Sequence, residues 1–274
     1  MKKALKILAI ALLLTVTVVP AQAQRRVVHY LPQYEHEPYH FGFLLAFNEM
    51  MYTIKTVEDY QNKPQQANPV LDQYFYGYTH GDIENLYVYN VETKKEAGFT
   101  VGIIGSKRLG RYFDLRFIPS LSFGCRYLYY NINVEYKEEC FEEFGKSKMM
   151  SLGTKSHGIN TVFMEFPLNI KYRSKRYNNI GAYLMGGVNP KIDLASREKN
   201  KIEKGLVTKR FDFASEIGVG FDIYNQWFKM GVEVKMSYGM LDIISHSSND
   251  NALIFTSPID RLSNKMFQLS MLIE

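Results

Sequence analysis

Between Phe211 and Met240, apolar and polar positions alternate almost without error. Phe211, Phe213, Ile217, Val219, Phe221 and Ile223 share one parity, interrupted only by Ser215. Asp212, Ala214, Glu216, Gly218, Gly220 and Asp222 share the other. After Asn225-Gln226 the pattern restarts, with Phe228, Met230, Val232, Val234, Met236, Tyr238 and Met240 set against Lys229, Gly231, Glu233, Lys235, Ser237 and Gly239. A period of two is the period of a β-strand, whose successive side chains point to opposite faces. The same alternation recurs in "HFGFLLAFN", "GFTVGIIGS", "FDLRFIPSLSF", "NTVFMEFPLNIKYR" and "MFQLSMLI", and more weakly in the glycine-rich "IGAYLMGGVNPKIDL". The pattern predicts about eight strands, most of them about nine or more residues long, a length that lets a tilted strand cross a bilayer.

The two faces are unlike in a particular way. One is almost wholly apolar; the other carries small residues and charges of both signs. A soluble sandwich turns its apolar face inward. Here the charges Asp114, Arg116, Glu165, Lys171, Glu216, Asp222, Glu233 and Lys235 need an enclosed place where they can pair. A Lys or Arg in the middle of a bilayer costs about 2–4 kcal/mol. The apolar face is therefore expected to meet lipid, and the charged face to line a lumen. Eight strands enclose an interior that side chains fill. The predicted fold is an all-β, eight-stranded antiparallel transmembrane barrel of the outer-membrane kind, with a filled polar lumen and no open pore. On this map Val219 faces outward and Gly218 inward, so Val219→Arg is expected to impair membrane assembly and Gly218→Ser to be milder.

The connections agree with this reading. Long connections near 49–97, 124–158, 190–209 and 241–261 alternate with short ones at "SKRLGR", "SKRYNN" and Asn225-Gln226. Outer-membrane barrels place long loops outside the cell and short turns in the periplasm. The expected organisation is a barrel over 40–274 with both termini periplasmic. Tyr112, Tyr127, Tyr129, Tyr130, Tyr172, Tyr177, Tyr224, Trp227 and Tyr238 are candidates for interfacial girdles. Pro119 and Pro167 lack a ladder donor and predict bulges or weakened pairing.

Composition narrows the compartment. "MKKALKILAIALLLTVTVVPAQAQ" joins two lysines, an apolar stretch and an Ala21-Gln22-Ala23 cleavage pattern. It predicts a signal peptide over 1–23, followed by a pre-barrel segment over 24–39. Losing Lys2, Lys3 and Lys6 takes the formal charge of +5 to +2, too little to argue for a nucleic-acid partner. The expected location is the outer membrane of a Gram-negative bacterium. Cys125 and Cys140 would meet an oxidising compartment; a disulfide between them and two free thiols both remain open.

Candidate chemistry is sparse. His36 and His40 in "HEPYH" are separated by Pro38, which argues against a helical metal pair. His80 and Asp82, Ser156 and His157, and Ser245 and His246 fall in loops, but no nucleophile motif accompanies them. No enzymatic activity, cofactor or metal is expected. The exposed basic turns supply a candidate docking face for a periplasmic partner: Lys107, Arg108, Arg111, Arg173, Lys175 and Arg176.

Five strings taken in order, "YFDLRFIPSLSFGCRYL", "MEFPLNIKYRSKRYNN", "AYLMGGVNPKIDLAS", "FDFASEIGVGFDIY" and "SPIDRLSNKMFQLSM", resemble the PorT family. These are small outer-membrane barrels associated with the type IX secretion system and with a gliding-motility relative, SprT. The resemblance runs from about Leu31 to Ile273. It implies a non-enzymatic protein needed for export of cargo to the cell surface. It implies outer-membrane lipid, other type IX components and cargo proteins as partners, and no cofactor. It transfers no catalytic or binding residue. The first long loop and "EYKEECFEEFGKSKMM" look particular to this chain, and Ile273-Glu274 stands where such barrels carry a terminal aromatic. An outer-membrane barrel that binds a ligand or mediates adhesion through its outer loops is the alternative reading.

Overall fold

The computed structural model describes residues 28–66, 83–136, 149–195, 208–244 and 255–274. Its strands are β1 (Tyr39–Thr56), β2 (Gln65–Gln66), β3 (Ile83–Lys94), β4 (Glu96–Arg108), β5 (Phe113–Phe117) and β6 (Ser120–Tyr136). They continue with β7 (Met149–Glu165), β8 (Leu168–Arg173), β9 (Ile180–Asp193), β10 (Phe211–Tyr224), β11 (Lys229–Gly239) and β12 (Ile259–Ile273). Several of these are parts of one passage of chain. β3 and β4 follow each other along β6, β3 pairing Lys94 with Tyr127 and β4 pairing Phe99 with Phe123. β5 and β6 run along β8 and β7 in the same way. With the two-residue β2 set aside as an edge on β3, the described strands form eight antiparallel passages. The last closes on the first: β12 pairs with β1 from Ile273 opposite Phe43 to Ile259 opposite Thr56.

Two of the three breaks within passages fall at prolines; the third, between β3 and β4, falls at Lys95. β5 gives way to β6 at Ile118-Pro119, and β7 to β8 at Phe166-Pro167. Proline has no N–H for the ladder. Its carbonyl still accepts, and the neighbours use it. Ile103 N donates to Pro119 O at 3.0 Å, Ile118 N to Pro167 O at 3.2 Å and Phe166 N to Pro190 O at 3.1 Å. The interruptions expected at Pro119 and Pro167 thus form one row across adjacent strands, and the sheet carries on around it.

The facing follows the alternation. Phe41, Phe43, Ile217, Phe221 and Ile103 are exposed on the outer surface, and Glu216, Asp222, Glu233 and Lys235 are buried inside. Gly218 and Val219 fall on the expected faces, but the inward position is tight. A Cβ at Gly218 would sit 2.9 Å from the Val234 carbonyl oxygen and 3.1 Å from Met185. Gly218→Ser therefore carries a packing cost of its own.

Strands also reach well into the segments expected to be loops. Of the loop placed near 49–97, β1 takes the start and β3 the end; β6 and β7 likewise extend into 124–158, β9 into 190–209 and β12 into 241–261. Along the extensions of β1, β3 and β6 the polarity of the two faces reverses, whereas β9 keeps Lys191 and Asp193 inside and Ile192 outside. The inward side chains of β6 change from Ser120, Ser122 and Arg126 to Leu128, Tyr130, Ile132 and Val134, all buried. Its outward row changes from Leu121 and Phe123, through Tyr127 and Tyr129, to Asn131, Asn133 and Glu135. A strand in lipid needs an apolar outside, and a strand in water needs an apolar inside. The reversal at Tyr127–Tyr129 therefore marks where the membrane surface crosses β6, with aromatics at the expected girdle level.

Phe123→Arg and Asn133→Arg test this boundary, because both side chains project outward from one strand. The first puts a charge into hydrocarbon at a cost of up to about 2–4 kcal/mol; the second leaves it in water. Loss of heat-modifiable gel mobility, the mark of a folded barrel, is expected for Phe123→Arg alone. Equal assembly of both variants would place the boundary elsewhere.

Candidate functional site

The lumen is packed with charged side chains arranged in tiers. At the short-turn end, Lys229 pairs with Glu274 and Arg173 with Asp114 at 2.8 Å. The next tier centres on Glu233, which accepts from Arg116 Nη1 and from the Tyr183 hydroxyl, each at 2.8 Å. Lys171 Nζ lies 2.6 Å from Asp222 and 3.6 Å from the Tyr183 ring centre. Deeper, Glu216 takes Lys235 at 3.2 Å together with donations from Asn169 and Asn189. Glu165 accepts from Asn189 at 2.9 Å and faces Lys191 at 3.7 Å. Last comes Arg126, which donates to Thr161 and Asn264, lies 3.6 Å from Asp193 and stacks at 4.3 Å over Tyr52. Burial of each charge is offset by a partner of opposite sign and by neutral donors.

This network is not uniform across the lumen. Leu44, Ala46, Ile104, Ile118 and Leu272 make an apolar strip on the inner wall. Beyond Arg126 the described interior is mainly apolar, with the buried Thr208 and Thr256 as polar exceptions. Leu86, Val88, Leu128, Tyr130, Ile132, Val134, Ile159, Ile243, Ile244, Phe255, Ile259 and Leu262 pack into one cluster across the long-loop end. The expectation of a polar filled lumen is corrected there: the filling is charged in the belt and hydrophobic above it. Among the described residues this packing closes the lumen at that end.

The other end is covered by the pre-barrel segment. Tyr34, in the 3₁₀ turn Tyr34–His36, stacks on His40 with ring centres 3.9 Å apart and donates to Glu274 at 2.6 Å. Burial and the Glu274 carboxylate hold its phenol well above the ordinary range, so it stays a donor. The segment is pinned further back. Asn179 Nδ2 donates to Val28 O at 2.9 Å, Tyr30 N donates to Asn179 Oδ1 at 3.1 Å, and Arg176 donates to Tyr30 O.

Between this segment and the two basic turns lies a pocket of about 500 Å³ lined by His29, Pro32, Glu35, His36, Arg108, Arg111, Tyr112, Arg173, Ser174, Lys175 and Arg176. Antiparallel pairing of β5 with β8 brings the two turns side by side. Of the residues expected on a docking face, Arg108, Arg111, Arg173, Lys175 and Arg176 meet here. Lys107 does not; it is exposed on the outer surface over the Tyr39 ring at 5.7 Å. Arg173 is spent on Asp114, and Arg176 on the turn and the segment: its Nε donates to Asn178 O at 2.8 Å.

The expected lumen charges, Asp114, Arg116, Glu165, Lys171, Glu216, Asp222, Glu233 and Lys235, are all buried inside. Arg126, Lys191, Asp193, Asp212, Lys229 and Glu274 share the lumen with them. Asp212 and Lys229 already stand in the polar rows of the sequence, Arg126 and Glu274 continue the rows of Ser122 and Ser270 by four residues, and Lys191 and Asp193 lie in the weakly patterned glycine-rich segment. Cys125 is half-buried on the outer parity of β6; Cys140 lies outside the described residues, as do His80, Asp82, Ser245 and His246 and the signal-peptide region 1–23.

Arg116→Ala leaves the buried Glu233 carboxylate without its cation. A loss of about 3–5 kcal/mol is expected, read as a lower urea midpoint for unfolding of the barrel. Arg116→Met with Glu233→Gln removes both charges and is expected to recover most of that loss. A single variant as stable as the parent would show that the pair carries no weight.

No curated protein sequence matches the chain. Among solved structures, it is similar to Ail of Yersinia pestis, solved with the heparin analogue sucrose octasulfate, at 8% identity over 86% of this chain and 98% of that one, with a TM-score of 0.33. It is similar to OprG from Pseudomonas aeruginosa at 11% identity over 85% and 92%, with a TM-score of 0.35. It is also similar to the protease OmpT from Escherichia coli at 10% identity over 90% and 98%, with a TM-score of 0.28. Likenesses this slight do not bear on function. The family model described as "Outer membrane protein beta-barrel domain" matches residues 34–245, most of the chain, and the protein belongs to that family.

Proposed function

We propose that this protein is a non-enzymatic outer-membrane component of the type IX secretion system, needed for export of cargo proteins to the cell surface, and that it works by docking. The resemblance of its strand sequences to the PorT family supports the system. The filled lumen carries the mode of action. Charged tiers occupy the belt, an apolar plug closes one end and Tyr34 covers the other, so the barrel offers partners its two mouths and no passage. In this reading the short-turn mouth and both termini face the periplasm, where the basic pocket meets another component of the machinery, and the long-loop mouth faces outward.

The alternative, a barrel that binds a ligand or surface through its outer loops, draws on the extensions of β3, β6 and β7. Their apolar core makes a firm base for loops beyond the membrane.

Surface proteomics of a deletion strain separates the two readings. The export role predicts periplasmic retention of many unrelated cargo proteins at once, restored by the wild-type chain. Normal cargo display with loss of a single adhesion or uptake trait would overturn it in favour of the alternative.

A further inference from the structure

We propose that the pocket at the short-turn mouth is a receptor for an acidic, extended segment of a periplasmic protein, whose carboxylates are held by Arg108, Arg111 and Lys175. The pocket is lined by Arg108, Arg111, Arg173, Lys175 and Arg176, and Glu35 is the one carboxylate in the lining. Arg173 is neutralised by Asp114. Arg176 donates to carbonyl and amide oxygens of the turn and the pre-barrel segment, which fixes its position without cancelling its charge. The other three keep donors available. Arg108 uses only Nε, on Gly110 O at 3.0 Å. The Arg111 guanidinium lies over the Tyr112 ring, 5.4 Å from its centre, a contact that uses no N–H donor. Lys175 is exposed on its turn.

Such a concentration of positive charge in a concave site repels its own members until an anion enters. Guanidinium edges accept carboxylates in a bidentate fork. A volume of about 500 Å³ exceeds what one small anion fills and lies within the range of pockets that bury a sizeable ligand.

Position decides between a protein and a lipid headgroup. The lipid side of these turns is marked by exposed Phe113 and Tyr172 and by Lys107 over Tyr39; none of these lines the pocket. One wall is instead the segment His29–His36, which runs beneath the barrel mouth. The pocket therefore opens away from the apolar belt.

The test uses the full mature chain in nanodiscs of zwitterionic phosphatidylcholine, with fluorescein-labelled hexaglutamate followed by anisotropy. Saturable binding is expected, weakened by rising salt and at least tenfold by Arg111→Glu with Lys175→Glu. Both positions are solvent-exposed turn residues, and heat-modifiable mobility checks that the double variant is folded. Inorganic phosphate at matched ionic strength is expected to displace the peptide poorly. Absence of saturable binding, binding unchanged in the folded double variant, or full displacement by phosphate would overturn the proposal. Peptide binding that is abolished when the nanodiscs contain anionic phospholipid would assign the pocket to lipid instead. The inference rests on the periplasmic docking reading above, yet the two fail separately. Normal export in the deletion strain leaves peptide binding by the purified barrel standing, and absent peptide binding leaves an export phenotype standing.

Discussion

Closure of β12 onto β1 is the constraint from which the rest of the structure follows. A bilayer core offers no water to an open strand edge, and each unpaired backbone group there costs several kcal/mol. The ladder from Phe43–Ile273 to Thr56–Ile259 removes both edges. Closing after so few passages makes the barrel narrow, and in a narrow barrel inward side chains from opposite walls touch. Arg116 on β5 therefore reaches Glu233 on β11, and Asn169 on β8 reaches Glu216 on β10. Charges that would be prohibitive in lipid become mutual partners because the wall places them within contact distance.

The same geometry explains why the interior changes character along its axis. Within the belt, the lipid-facing surface must be apolar, so polar and charged residues fall to the inside. Beyond the belt the outer surface meets water, and the inside becomes a conventional hydrophobic core around Leu128, Tyr130, Ile132 and Val134. One strand, β6, carries both regimes without changing its alternation. The consequence is a barrel stiffened by ion pairs, plugged by hydrophobic packing and covered at its other end by Tyr34. Its exposed chemistry is then concentrated in turns and loops, and at the short-turn mouth that chemistry is cationic.

Much of this was legible in the chain. The period of two, the unlike faces and the long–short rhythm of connections identify an outer-membrane barrel and assign Asp114, Arg116, Glu165 and their companions to the lumen. Three features were harder to read. The extensions of β3 and β6 escaped because their faces exchange polarity, so residues such as Tyr87 to Glu92 read as loop when judged by the lipid-facing pattern. The tightness at Gly218 depends on the Val234 carbonyl across the ladder, a neighbour that local sequence does not name. The division of the basic turns was equally hidden. Lys107 and Arg108 are adjacent, yet strand parity sends one to the outer surface and the other to the pocket, while Arg173 is drawn inward by Asp114, a residue on another strand.

A filled scaffold that acts at its mouths passes no ions through its lumen. Electrical recording from the folded barrel in planar bilayers tests this. Insertion without measurable steady conductance is expected, because the apolar plug and the paired charges among the described residues leave ions no continuous path. Reproducible single-channel steps of porin-like size from the folded protein would contradict it.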